Sequence, residues 1–177
     1  MNDMSAIKSP IKDFIFKTKV KDFKDIKGPI LSDIEAMGTY SMVNDHQKIS
    51  NTDWHLNSDY DRSYWNHAIG AVDLHNQSLR ETHEYDRCSV ANYWFQQYER
   101  GDYHKWHNHS LACFSNVFYI ELNNGASKTS FKWQGIIFDM PVEEGDIISF
   151  PAFLAHSSKP NQGKRKTVIS FNSIVEC

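Results

Sequence analysis

The stretch Tyr103-His104-Lys105-Trp106-His107-Asn108-His109 gathers three of the chain's nine histidines into one segment. It lies within a long run of strand-like sequence that begins at Cys88 and continues to the C-terminus. Val90 to Tyr98, Tyr103 to His109, Ala112 to Glu121, Lys128 to Phe138, Asp146 to Pro151 and Thr167 to Val175 each read as β. They are parted by the turn sequences Asn123-Asn124-Gly125, Gln134-Gly135, Glu144-Gly145-Asp146 and Pro160-Asn161-Gln162-Gly163. Short strands with close turns predict a mainly β architecture, a sandwich or barrel. The period-2 geometry of a strand sends His107 and His109 to the same face, the pairing a metal ion needs from one segment. His156 supplies the third imidazole. It follows the apolar run Asp146 to Pro151, after which Ala152-Phe153-Leu154-Ala155 turns the chain back toward the barrel mouth. Three nitrogen ligands with positions left open describe a reactive metal site rather than a closed structural one.

Single histidines in a β protein are more often hydrogen-bonded structural residues, so His46, His55, His67, His75, His83 and His104 are assigned no chemistry. Lys164-Arg165-Lys166-Thr167 alone would be a solvated basic turn. Beside a metal, Arg165 and Thr167 become an acid-binding pair, because a guanidinium fork and a hydroxyl match a carboxylate held at a fixed distance from the ion. The aromatics Trp94, Trp106, Phe118, Phe150 and Phe153 either form core or keep water from such a site.

Upstream of Cys88 the pattern differs. Phe14-Ile15-Phe16 is the apolar centre of an edge strand among lysines (Lys8, Lys12, Lys17, Lys19, Lys21, Lys24, Lys27), with Asp13, Asp22 and Asp25 interleaved to offset most of the local field. Ile30, Leu31, Ile34 and Met37 then keep helical spacing from Pro29 to a closing Gly38. A second helix is expected from about Asp61 to Leu79 on the face Tyr64, Trp65, Ala68, Ile69 and Val72. With 177 residues, one domain is expected: an N-terminal support of about 1–87 and a β core of about 88–177.

The composition removes several function classes. A formal charge of −3 provides no field for nucleic acid, and no apolar run reaches the ~20 residues of a membrane span. Cys88, Cys113 and Cys177 form neither a disulfide framework nor a cysteine zinc site, and no N-terminal apolar segment resembles a signal peptide, so the cytoplasm is the expected compartment. No heptad or exposed apolar strip indicates an oligomeric state.

In order, the chain contains Tyr93-Trp94-Phe95; Gly101 through His107-Asn108-His109; Ser115-Asn116-Val117-Phe118-Tyr119-Ile120; Gly145-Asp146 with Phe150-Pro151 and His156; and Arg165 leading to Ser170-Phe171-Asn172. This series resembles the 2-oxoglutarate/Fe(II)-dependent dioxygenases, in particular a family of small oxygenases of bacteria and their phages. The resemblance implies a double-stranded β-helix (a jelly roll) with flanking helices, Fe(II) and 2-oxoglutarate as cofactors, and dioxygen as co-substrate. It implies a hydroxylase-type oxidation of an unidentified substrate while 2-oxoglutarate is decarboxylated to succinate. It also implies His107 and His156 as iron ligands, His109 where an acid usually stands, and Arg165 with Thr167 as the clamp on the C5-carboxylate. The cupins match much of the same spacing, and three-histidine cupins oxidise small substrates without 2-oxoglutarate, or such a site could hold zinc. A non-catalytic β-sandwich binding module is the third alternative.

Overall fold

The computed structural model describes residues 14–57 and 59–177; Lys8, Lys12 and Asp13 lie outside them. In chain order the elements are β1 (Phe16–Lys19), α1 (Phe23–Ala36), β2 (Met42–Val43), β3 (Gln47–Ile49), β4 (Asn51–Thr52), α2 (Tyr64–His83), β5 (Arg87–Glu99) and β6 (Tyr103–His107). They continue with β7 (Phe114–Leu122), β8 (Thr129–Trp133), β9 (Ile136–Asp139), β10 (Asp146–Pro151), β11 (Ala155–Ser158) and β12 (Arg165–Glu176). Two antiparallel six-stranded sheets face each other. One has the order β1-β10-β7-β12-β5-β4 and the other β2-β3-β6-β11-β8-β9. This is a double-stranded β-helix with two supporting helices, as expected.

The first sheet is buried on both faces, and strand alternation divides its residues between two layers. Phe95, Phe118, Ile120, Ile147, Ile169 and Phe171 face outward and pack against Ile30 and Ile34 of α1 and Tyr64, Trp65, Ala68 and Val72 of α2. Tyr98, Val117, Tyr119, Ile148, Phe150 and Val168 face inward and meet Ile49, Phe131 and Leu154. Neighbouring residues of one strand therefore see different environments, a fact that governs the functional site.

The β-forming stretches match expectation, with Lys128 to Phe138 resolved as the hairpin β8–β9. The expected edge strand is β1, which pairs only with β10 in its sheet and whose Lys17 and Lys19 reach Asp146. Four differences stand out. Helix α1 starts at Phe23, with Pro29 inside it, because Phe23 and Ile26 already pack on the sheet and extend the helix ahead of the proline. His156 sits on a strand, β11, rather than on a returning loop. The short strands β2, β3 and β4 carry too few residues to show a periodicity. Ile69, placed on the apolar face of α2, is exposed.

Gly145 sets the entry to β10. Its φ of +83° is in the left-handed region, and a Cβ there would lie 2.8 Å from the Phe23 ring. Its N–H donates to the Tyr119 carbonyl and its own carbonyl accepts from Val20, each at 2.8 Å. Gly145→Ala is therefore expected to lower unfolding free energy by about 2–4 kcal/mol, from left-handed strain plus overpacking. Gly70, in the exposed interior of α2, has nothing within 4 Å of the Cβ position, so Gly70→Ala should stabilise by about 0.5–1 kcal/mol. Urea titration of both variants checks the opposite signs.

Candidate metal centre

Strands β6 and β11 are antiparallel neighbours whose register places His107 opposite His156. His109 follows two residues beyond His107, past the end of β6. Its backbone N–H is tied to the Ala152 carbonyl at 2.9 Å, which brings it back over the same sheet end. One nitrogen from each of His107, His109 and His156 lies within 4.8 Å of the others. The structure thus assembles the three histidines that the spacing singled out.

Hydrogen bonds orient all three rings. Nδ1 of His107 donates to the Lys105 carbonyl at 2.8 Å, and Nδ1 of His156 to the Leu154 carbonyl at 3.0 Å. Nδ1 of His109 donates to Oδ1 of Asn172 at 2.7 Å; the amide of Asn172 is itself oriented by donation to Asn92 at 2.8 Å. A carbonyl oxygen can only accept, so each Nδ1 carries the proton and each Nε2 keeps its lone pair for a metal. Among the described residues, none of these Nε2 atoms has a protein hydrogen-bond partner. The donor set fits a divalent transition-metal ion such as iron or zinc.

Burial favours the neutral form that ligation needs. Desolvation pushes His107 down to about 4, assisted by the neighbouring His109 and opposed by the Lys105 carbonyl. It holds His156 well below the ordinary histidine range, with His107 contributing, and lowers His109 against the pull of Asn172. Phe150 meets the His156 ring edge-on at 4.7 Å and Trp94 stands 5.8 Å from His109, so apolar surface surrounds the cluster.

The histidines line a cavity of about 400 Å³ between the sheets. Trp94 and Phe150 share that lining, whereas Phe118 belongs to the helix-facing layer and Trp106 and Phe153 are exposed. His104, assigned no chemistry from sequence, lines it too, its ring stacked on His107 with centroids 3.8 Å apart. An irregularity of pairing between His156 and Ser158 breaks simple alternation on β6 and lets residues three apart share a face.

Arg165 and Thr167 do not join the histidines. Alternation along β12 sends them to the other face, where Arg165 Nε donates to Glu121 at 2.6 Å, Arg165 Nη1 reaches Glu35 at 3.3 Å, and the Thr167 hydroxyl donates to Glu121 at 3.0 Å. The fork and hydroxyl do hold a carboxylate, but it is the protein's own Glu121. The residue facing the cavity is Lys166, which is 3% exposed and lies with Val168, Ser170 and Asn172 along the inward face of β12. Its Nζ donates to the hydroxyls of Ser158 and Ser127 and sits 4.1 Å from the Tyr98 ring centroid. Burial lowers its pKa to about 7. The signal was present in the sequence: Ile169 and Phe171 are the bulky apolar residues of one face, which puts Lys166 with Ser170 and Asn172 on the other.

Two solution outcomes are expected. A divalent metal at 100 times its dissociation constant should stabilise the fold by about 2.7 kcal/mol, raising the melting temperature by about 5–10 °C. His156→Ala should abolish that rise, as differential scanning fluorimetry with Mn(II) or Zn(II) would show. For the metal-free protein, folded histidines with pKa values below the ordinary 6.5 take up protons less readily than the unfolded chain. Stability should therefore be complete above about pH 6.5 and fall as pH drops through the folded value, about 4 for His107. Urea midpoints that stay constant from pH 8 to 5 would contradict this.

No family model matches the chain, and no curated protein matches it. Solved structures do. A prolyl-4-hydroxylase from Pseudomonas putida is 10% identical at a TM-score of 0.68, with 91% of this chain and 92% of that one covered. The viral collagen prolyl hydroxylase of Paramecium Bursaria Chlorella virus-1, solved with 2-oxoglutarate, is 10% identical at 0.64, covering 93% and 97%. The α-ketoglutarate-dependent epimerase SnoN of nogalamycin biosynthesis is 11% identical at 0.67, covering 91% and 77%. The chain thus has the double-stranded β-helix fold of the 2-oxoglutarate/Fe(II) oxygenases.

Proposed function

We propose that this protein is an Fe(II)/2-oxoglutarate-dependent oxygenase in which His107, His109 and His156 hold iron and Lys166 holds the C5-carboxylate of 2-oxoglutarate. The observation that carries this reading is the shared cavity: three bare Nε2 atoms and a buried ammonium open into the same space. Ser158, which accepts from Lys166, is two residues from His156 on β11, about 7 Å along the strand. That is about the length of a five-carbon diacid, so one carboxylate and the keto group can reach the metal while the other meets Lys166. A desolvated lysine becomes fully charged when a carboxylate approaches, and in so dry a setting the pair is strong.

Bound iron would activate dioxygen, the four-electron oxidant, with two electrons drawn from 2-oxoglutarate as it is oxidised to succinate and carbon dioxide and two from a C–H bond of the primary substrate. The protein's own residues position and shield. The Lys105, Leu154 and Asn172 acceptors keep the three imidazoles in the ligating tautomer, while Trp94, Phe150, Val168 and Ile49 displace water from the cavity wall. His109 replaces a usual carboxylate with a neutral ring, leaving the centre one unit more positive and strengthening its hold on a dianion. Cys88, Cys113 and Cys177 are unpaired, which suits a reducing compartment such as the cytoplasm.

The all-histidine donor set favours a second reading, a three-histidine metalloenzyme of cupin type that uses no 2-oxoglutarate. That reading leaves Lys166 without a task. The two separate in one experiment, succinate formation from 2-oxoglutarate with Fe(II) and ascorbate. Turnover is expected in the wild type and should fall at least 100-fold in His107→Ala and His156→Ala. Lys166→Met should weaken 2-oxoglutarate binding about 30-fold or more, the cost of removing one partner of a buried charge pair. Arg165→Met should change that affinity by less than twofold. Loss of binding in the arginine variant but not the lysine variant would overturn the assignment.

A further inference from the structure

The cavity is unusual in its charge. Among the described residues, none of those lining it is Asp or Glu, whereas Lys166 and four histidines are. Asp102, whose field reaches Tyr98, is already occupied by Lys48 at 3.1 Å and by the N–H and hydroxyl of Ser50. Glu121 is held by Arg165 on the far face. On the reading above, a divalent ion and a protonated Lys166 bring three positive charges, and 2-oxoglutarate returns two negative ones. One positive charge remains in a space walled partly by indole and phenyl rings, where an unmatched charge is costly.

A second, independent feature is the inward face of β5, which presents Asn92, Trp94 and Gln96 to the cavity. The side-chain oxygens of both amides are already taken: Oδ1 of Asn92 accepts from Asn172 at 2.8 Å, and Oε1 of Gln96 accepts from Ser170 at 3.1 Å. Their NH2 groups are consequently the ends left free. Neither these NH2 groups nor the Trp94 indole N–H donates to a protein acceptor among the described residues. This face of the strand thus offers N–H donors at alternate positions while both amide oxygens are already engaged, a wall suited to an anion.

We infer that the primary substrate is a monoanion bearing a carboxylate, received by the Gln96 amide and the neighbouring Trp94 N–H while its remainder lies toward the metal. This rests on the oxygenase reading and names the substrate class for the same site. About 400 Å³ is in the range that takes a drug-sized ligand, more than a five-carbon diacid fills.

The test uses the full chain loaded with Mn(II) and N-oxalylglycine, an unreactive dianion standing in for 2-oxoglutarate. Benzoate and benzamide, matched in shape and different in charge, are titrated by isothermal calorimetry, with chloride as a third probe. Benzoate should bind at least tenfold more tightly than benzamide without displacing N-oxalylglycine. Gln96→Glu, which supplies its own negative charge, should abolish that preference while retaining Mn(II) and N-oxalylglycine. Gln96→Leu, which removes only the donor, should weaken benzoate about fivefold. Equal binding of acid and amide, or benzoate binding unchanged in both variants, would overturn the inference. Chloride binding as tightly as benzoate would also overturn it, since a simple ion would then balance the charge. Failure of N-oxalylglycine to bind at all would remove the oxygenase reading, and this inference with it.

Discussion

The site depends on the pairing of two short strands. The register of β6 against β11 sets His107 beside His156, and the carbonyls of Lys105 and Leu154, each two residues back from its histidine, fix the protonated nitrogen of each ring. Backbone geometry thus chooses the tautomer, and with it the nitrogen that stays free. His109 needs more help, because it lies beyond the strand: a backbone bond to Ala152 holds its position, and the Asn172–Asn92 pair, drawn from the opposite sheet, holds its ring. The two sheets are therefore coupled at the histidine cluster. A one-residue slip of β11 against β6 would turn His156 away from the cavity and leave no alternative imidazole on that strand.

The same parity rule explains which of the expected residues come together and which do not. His107 and His109 were picked out by their spacing of two, but β6 ends at His107, and the His109 N–H bond to Ala152, not strand alternation, brings the second ring beside the first. His156 was legible by what precedes it, an apolar strand closed by Pro151, although the strand it occupies was not. β11 has four residues between turns and shows no hydrophobic alternation of its own. Arg165 and Thr167 satisfied a chemical pattern, a fork and a hydroxyl, but chemistry alone carries no phase. The phase of β12 is set by Ile169 and Phe171 against the helices, and it directs Lys166 inward.

His104 was out of reach for a different reason. Its place on the cavity wall depends on an irregular pairing between β6 and β11, a property of two strands in register that neither strand encodes alone. The strands β2 to β4 were equally silent, each being two or three residues long and stabilised by the neighbour it joins. Long β12 and β7, buried on both faces, were the most readable segments, since stretches rich in β-branched and aromatic residues bounded by turn sequences favour a strand.

Fold likeness cannot choose the reaction here. Structures described as prolyl hydroxylases and as an epimerase share this architecture at similar TM-scores, so the scaffold tolerates different outcomes at the substrate carbon. What distinguishes one such cavity from another is the set of side chains that lines it, and among the described residues here that set is donor-rich and free of acids. On the proposed reading, His109 standing in place of an acidic ligand and the N–H groups of β5 that have no acceptor among the described residues act in the same direction. Each would raise the positive potential of the interior. On that reading, such a centre would favour an anionic substrate over a neutral or cationic one before any shape is read, because entry of the latter would leave the excess charge unanswered.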